Sequence, residues 1–339
     1  MVSALRRRTV LSMGLVAAAV MAVGCSSTSA EGTSEAGAGA AAEAGALPVT
    51  IDHVHGSTSV EAVPQRVAAV GIGDADVLLA LGVTPVLVPA WKGSVDTGVG
   101  EWAKPALAGA TPPALANATA GFDVEKVAAS NPDLIVAVNN AIDANVYGQL
   151  SAMAPTVLHA ADQTDWMLPW QQVTTRIGDA VGRPAKAAEQ VRMVEDTFAR
   201  ARSEHPEFAG KSAILVRYLD GDKFRAYSPT SARGQLLTEL GFGVPAQLRD
   251  RFGDALYTEI SAENLGLLEA DLLVVDNYDA AAARLDALPT FTGLQVVRSG
   301  AMVGLDPVVS DAVSMPNPLT IPFSVNAMLE KISRTPVGA

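Results

Sequence analysis

Apolar positions along the chain gather into short β-branched runs, each followed by a stretch whose apolar residues recur at helical spacing. Val67 to Gly71 predicts a strand, Asp74 to Leu81 a helix closed by Gly82, and Pro85 to Val88 the next strand. Leu134 to Val138, Thr156 to His159, Ala213 to Tyr218, Leu272 to Asp276 and Ala301 to Leu305 continue the series. Such alternation predicts parallel or mixed sheets covered by helices, an α/β fold. Between Met167 and His205 the strand signal stops. Val173, Ile177, Ala180 and Val181, then Ala187, Val191, Val194 and Phe198, recur at helical spacing, with Pro184 either starting a second helix or kinking a single one. The pattern divides the body into an α/β lobe at 48–166, a helical linker at 167–205 and a second α/β lobe at 206–335.

The lobes share a building unit. Asp123-Val124-Glu125 leading into Asp133-Leu134 and Asn139 is matched, at a constant offset of 138 residues, by Ser261-Ala262-Glu263 leading into Asp271-Leu272 and Asn277. Asp123 and Ser261 suit the N-cap position, and Glu125 and Glu263 suit a first helical turn, where the dipole favours negative charge. Asn139 and Asn277 fall just past the carboxyl ends of their strands, the usual place for ligands of open α/β sheets.

Composition changes the picture at the N-terminus. Arg6, Arg7 and Arg8 precede an uncharged run from Thr9 to Gly24, too short for a membrane span of about 20 residues. Residues 1–24 therefore read as a signal peptide, with export by the general or the twin-arginine route left open. The run ends in Ala22-Val23-Gly24-Cys25, and Cys25 is the only cysteine, so no intramolecular disulfide can form. From Ser26 to Ala46 the chain is almost wholly Ser, Thr, Gly, Ala and Glu, the composition of a flexible tether, so residues 25–47 read as a cysteine and its leash. The formal charge of −12 becomes more negative once three leader arginines are removed, which argues against nucleic acid as a partner.

Taken in order, His53-Val54-His55-Gly56-Ser57-Thr58, Val63-Pro64-Gln65-Arg66-Val67, Leu79-Ala80-Leu81-Gly82-Val83, Asn131-Pro132-Asp133-Leu134-Ile135, Leu150-Ser151-Ala152-Met153-Ala154-Pro155 and Gln235-Leu236-Leu237-Thr238-Glu239-Leu240-Gly241 resemble the ferric-siderophore binding proteins of ABC importers, relatives of those for vitamin B12 and haem. The resemblance spans nearly the whole mature chain. It implies two Rossmann-like lobes joined by a long rigid helix, with ligand in the groove between them and little closure. It also implies a lipobox at 22–25, lipidation of Cys25 and anchorage to the outer face of the cell membrane. Glu125 and Glu263 match the glutamates that such proteins present to arginines of a permease dimer. The protein is expected to act as a monomer and not as an enzyme.

A ferric siderophore is bulky, partly aromatic or amide-rich and often anionic, so its groove should offer aromatic faces and arginine forks, with iron held by the chelator and no protein metal ligand or cofactor. Aromatic residues make up only 5% of the chain. Trp91, Trp102 and Trp166 are candidates on the first lobe with Asn139, and Arg217, Tyr218, Arg225, Tyr227, Asn277 and Tyr278 on the second. Hydroxamate binders of the family carry an arginine before a glycine where a helix starts, and Arg233-Gly234 matches that position. Haem or cobalamin is the alternative guest, kept open by the three tyrosines, and a directly bound metal ion is less favoured: of His53, His55, His159 and His205, the first two could share one strand face but lie at the edge of the body, and His205 lies in a polar turn before Pro206. No nucleophile elbow or phosphate-cradling loop is present. Gly71-Ile72-Gly73 lacks the third glycine of a dinucleotide fingerprint.

Overall fold

In this computed structural model, residues 41–89, 98–107, 109–110, 114–115 and 123–339 are described. Cys25, the leader and Trp91 lie outside them.

The first half opens with a hairpin of β1 (Val49–His53) and β2 (Gly56–Val60), then β3 (Val67–Ala69), α1 (Asp74–Ala80), β4 (Val88–Pro89) and β5 (Ala114–Leu115). It continues with α2 (Val124–Ala129), β6 (Leu134–Val136), α3 (Ala144–Ser151) and β7 (Thr156–Val157). Among the described residues β3, β6 and β7 form one sheet in that order, all parallel, and β4 pairs with β5. The predicted strand at Pro85 to Val88 is shifted: Leu87 bridges to Ala68, and the strand proper is Val88–Pro89.

The link is two helices, α4 (Trp170–Ala180) and α5 (Pro184–Glu204), not one kinked rod. Gly182, at φ 67, turns the chain, and Pro184 sits in the first turn of α5, where its missing N–H costs nothing. α5 is seated in both cores: Ala187 packs with Leu78, Val136 and Ile177 of the first half, while Val194, Phe198 and Ala201 pack with Leu215, Leu273 and Val325 of the second. Each fully buried Val or Phe side chain contributes about 2 kcal/mol, so the helix resists sliding in either core.

The second half holds β8 (Ala213–Leu219), β9 (Lys223–Tyr227), α6 (Gln235–Glu239), α7 (Ala246–Arg249), β10 (Tyr257–Ser261), β11 (Leu272–Val275) and α8 (Tyr278–Asp286). It ends with α9 (Pro289–Thr292), α10 (Gln295–Arg298), β12 (Met302–Gly304), α11 (Pro307–Ser314) and α12 (Thr320–Ile332). Its sheet runs β10-β9-β8-β11-β12, with β8, β11 and β12 parallel and β9 and β10 antiparallel at one edge. β9 and β10 were not expected from the pattern, because Asp220-Gly221-Asp222 reads as the start of a polar turn.

The repeated unit does the same work twice. Asp133 accepts the amides of Gln65 and Arg66, both at 2.8 Å, just before β3, and Asp271 accepts Ser212 N at 2.7 Å just before β8. Each aspartate thus ties the start of its own strand to the start of the neighbouring one. The caps differ: Asp123 accepts Lys126 N at 3.1 Å, whereas Ser261 caps no backbone amide and leads into a 3-10 turn, Ala262–Leu268, broken at Asn264.

The stretch read as tether to residue 47 is docked over its last residues. Glu43 accepts Ala185 N at 2.6 Å and Lys186 N at 2.8 Å at the start of α5, and Leu47 packs on the first core. Arg183 offers no side-chain cap there, so the distant glutamate takes the free amides and faces the positive end of the dipole.

Candidate functional site

On β8, β9 and β10 the pairing register sets the chemistry. Arg217 pairs with Arg225, Arg225 with Glu259, and Tyr227 with Tyr257, so these side chains share one face of the sheet, while the alternate residues Tyr218, Phe224 and Ala226 enter the core. The Arg225 guanidinium lies 3.8 Å from the Tyr257 ring centroid and 3.8 Å from Glu259. Beyond Tyr227 the chain turns through Ser228 and Ser231, whose hydroxyl accepts Gly234 N at 3.0 Å. Only glycine fits at 234, because a Cβ there would lie 1.9 Å from the Ser228 carbonyl oxygen. This turn delivers Arg233. Its guanidinium stands 4.8 Å from the Tyr227 ring centroid, donates to Ser314 Oγ at 2.8 Å, and has Nε 3.4 Å from Asp276 Oδ2.

Asp276 is fully buried at the end of β11 and also takes Arg217 Nη1 at 3.0 Å and the Ser310 hydroxyl. One carboxylate therefore anchors two arginines. Burial pushes the Tyr227 hydroxyl up from its ordinary value, against the pull of Arg233, Arg217 and Arg225, so it stays a neutral donor in water near neutral pH.

The facing wall comes from the first half. Gly71-Ile72-Gly73 follows β3, with Gly73 at φ 87, and a Cβ on Gly71 would lie 1.9 Å from Asp74 Oδ2. These glycines serve a tight turn over a buried carboxyl. Asp74 accepts Val138 N at 2.8 Å and Asn139 N at 3.3 Å, and burial outweighs those bonds to push it up to about 7. Asn139 spans the wall, donating to Ile72 O at 2.8 Å and to Met315 Sδ at 3.2 Å.

Between these walls lies a cavity of about 300 Å3, lined by Ile72, Asp74, Asn139, Trp166, Trp170, Tyr227, Arg233, Met315 and their neighbours. Trp166 holds φ 67, a conformation costly for a bulky residue and typical of functional positions. Trp170 is 2% exposed, and its indole N–H has no partner among the described residues.

Of the candidates named from sequence, Asn139, Trp166, Tyr227 and Arg233 line this cavity. Arg217 and Arg225 lie outside it on the same sheet face, one or two residue steps along from Tyr227, about 7 Å per pair of residues. The structure does not bring the others to it. Tyr218 packs in the core with its hydroxyl 2.5 Å from Asp222, a bond that raises its pKa. Asn277 instead stitches β11 to β8 through Tyr218 N and O, both at 3.0 Å, and Tyr278 packs on Gly304. Trp102 lines a smaller pocket beyond Ile72, Gly73 and Met315, with Nε1 bonded to Asp76 at 2.6 Å. Sequence reasoning missed Asp74, Trp170 and the Ser314–Asn317 stretch as parts of the wall. Only Trp170, beside Trp166 at the start of the link, carried a signal. Among the described residues no group of three or more His, Cys, Asp or Glu is placed to hold a metal ion.

Comparison with known proteins bears on this arrangement. The probable siderophore-binding lipoprotein YfiY of Bacillus subtilis is 27% identical over 274 residues, covering 77% of this chain and 81% of that protein. A periplasmic solute binding protein from Mycobacterium smegmatis is similar in structure with a TM-score of 0.74 at 33% identity, over 85% of this chain and 98% of that one. PiaA of Streptococcus pneumoniae, solved in complex with ferrichrome, gives a TM-score of 0.73 at 26% identity over 84% and 97%. The family model for periplasmic binding proteins matches residues 67–309, from the first strand of the parallel sheet to α11, and the chain belongs to that family of solute-binding proteins, which are not enzymes.

Proposed function

We propose that the protein is the solute-binding lipoprotein of an ABC importer, anchored through Cys25 outside the cell membrane, and that it captures a ferric siderophore and delivers it to a permease dimer. The observation that carries this reading is Arg233, held over Tyr227 at an apolar cavity walled by Trp166 and Trp170. Such a site gives an anionic, partly aromatic guest a guanidinium fork and π-faces, and asks nothing of the iron. The printed names of YfiY and of the PiaA complex support the same class of guest.

Arg217 and Arg225 extend the positive surface beyond the cavity, so the favoured guest is a negatively charged chelate larger than the cavity itself. Titration with ferric chelates of opposite charge tests this directly: an anionic chelate should quench tryptophan emission with submicromolar affinity, and a cationic one should bind far more weakly. No quenching by any ferric chelate would overturn the reading. A Soret shift on adding haemin, without chelate binding, would favour the haem alternative.

Glu125 and Glu263 are exposed, each in the first turn of its repeated unit. In this reading they dock the loaded protein on paired permease arginines. Replacing both by alanine should cut uptake at least about tenfold while chelate affinity stays unchanged, since exposed charges steer and register a partner rather than shape the cavity. Full uptake at normal surface levels would remove them from the docking surface.

A further inference from the structure

The cavity walls also meet away from the link helices. Residues 314–317, from the last residue of α11 toward α12, cross from the second half to the first. Ser314 accepts from Arg233, Met315 receives the Asn139 amide, and Asn317 Nδ2 donates to Asp76 Oδ2 at 3.1 Å. The other end of the Asn317 amide accepts Leu319 N at 2.9 Å and Thr320 N at 3.1 Å, so one side chain caps α12 and reaches the opposite half. Asp76 Oδ2 takes Trp102 Nε1 as well, at 2.6 Å, and the Trp102 ring stands 5.8 Å from Phe323 of α12. Leu319 packs beside these groups against Leu79, Val99 and Leu107.

Asp76, Asn317 and Trp102 are not interchangeable with generic packing. Asp76 is 7% exposed and Asn317 3%, and the buried Asn317 amide and the half-buried Trp102 indole converge on a single carboxylate oxygen near the N-terminus of a 13-residue helix. Remove that oxygen and the Trp102 indole loses its acceptor, while the Asn317 amide keeps only its bond to Met315 O at 3.0 Å within its own segment and loses its tie to α1.

We propose that Asp76 is a positioning residue that holds the 314–317 strap against α1 and so sets the spacing of the two cavity walls without touching the guest. Its effect on capture rests on the function proposed above, while the contacts do not. A cleft preset in this way loses little conformational freedom when filled, so disabling the strap should appear as faster release of the guest.

Amide hydrogen exchange on the unliganded full chain is the test, with each variant read on the half it does not belong to. Asp76→Ala should raise exchange at Leu319–Ile321, and Asn317→Ala should raise it at Ile72–Val77, each by more than about tenfold. Asp76→Asn, whose amide oxygen can still accept both donors, should stay within about threefold of wild type. In the chelate assay the two alanine variants should each lose at least about tenfold in affinity through dissociation, and the double variant no more than either single one. Unchanged exchange across the cleft in a folded alanine variant would overturn the proposal, as would full additivity of the two changes or an Asp76→Asn variant as disturbed as Asp76→Ala. If Asp76→Ala does not fold, Asn317→Ala decides alone. Because exchange is read without ligand, failure of every ferric chelate to bind would overturn the capture function and leave this test standing.

Discussion

Replacing Arg233 by methionine is expected to weaken binding of an anionic ferric chelate by about 100-fold, measured by calorimetry or fluorescence titration, with most of the loss in the dissociation rate. A hydrogen bond to a charged group contributes about 1.5–3 kcal/mol, and truncating one partner of a desolvated charge pair costs about 2–5 kcal/mol. Arg233 is held for the task by Ser314, Asp276 and the Tyr227 ring. Its loss leaves Asp276, fully buried, to Arg217 and Ser310, so the single variant should also melt lower. Adding Asp276→Asn should restore the melting temperature and leave binding weak, which separates recognition from stability. Lysine at 233 should restore little, because a point charge cannot reproduce a planar fork set over an aromatic ring. Affinity of Arg233→Met within threefold of wild type would remove the arginine from the binding surface.

Folding stability is expected to fall as pH rises from 5 to 8, and Asp76→Asn should remove part of that slope. Burial raises Asp76 to about 6 and Asp74 to about 7, above the ordinary carboxylate value of 3.8 that each has when unfolded. The folded protein therefore holds these two protons more tightly than the unfolded chain. Their stabilising contribution is complete below the unfolded value and is lost as pH climbs through about 6 for Asp76 and about 7 for Asp74. At about 1.4 kcal/mol per pH unit of displacement, Asp76 alone accounts for about 3 kcal/mol from below pH 3.8 to above pH 6, of which about 1.4 kcal/mol falls between pH 5 and pH 8. His53 works in the opposite sense, because burial lowers it and its contribution is lost as pH falls through the ordinary histidine range. The diagnostic quantity is thus the difference between wild type and variant in denaturant midpoints at pH 5 and pH 8. An identical slope in Asp76→Asn would show that the residue is not ionising in the folded state over this range.

The parts legible in the sequence are those in which neighbours along the chain decide the outcome. Leu134–Val136 and Leu272–Val275 declare themselves as buried strands because every residue in them is apolar. Arg233-Gly234 could be placed at the cleft only through its resemblance to the arginine before a helix-opening glycine in hydroxamate binders; the closed space around Gly234 is seen only in the fold. Arg225 and Tyr227 could be named as candidates on the second lobe, but the strand β9 that carries them, and with it the face they share, was not expected.

What stayed hidden depends on contacts between distant segments. Asp74 and Asp76 read as ordinary acids of a first helical turn; Asp74 is enclosed by the Gly71 turn and the backbone of Val138 and Asn139, and Asp76 by the approach of Trp102 and of Asn317, which is 241 residues away from it. Ser314–Asn317 shows no periodicity of its own, and only the closed fold turns it into wall and strap. Tyr218, Asn277 and Tyr278 were misread for the complementary reason. Standing at a strand end places a residue near the cleft, but alternation and the stitching of adjacent strands decide whether its side chain faces that way.

If the protein is anchored through Cys25 as proposed, the grip of Glu43 on the start of α5 has a mechanical meaning. Trp170 opens α4 at the cavity, and the docked glutamate sits past the far end of that helix, about 16 Å further along. Fifteen residues lie between Cys25 and Ala41, sixteen chain steps with a reach of at most about 55 Å. In that proposed arrangement the tie lies at the end of α4 away from the cavity and leaves its mouth clear, while every residue that the Glu43 contacts hold against the body shortens the reach left to the anchor.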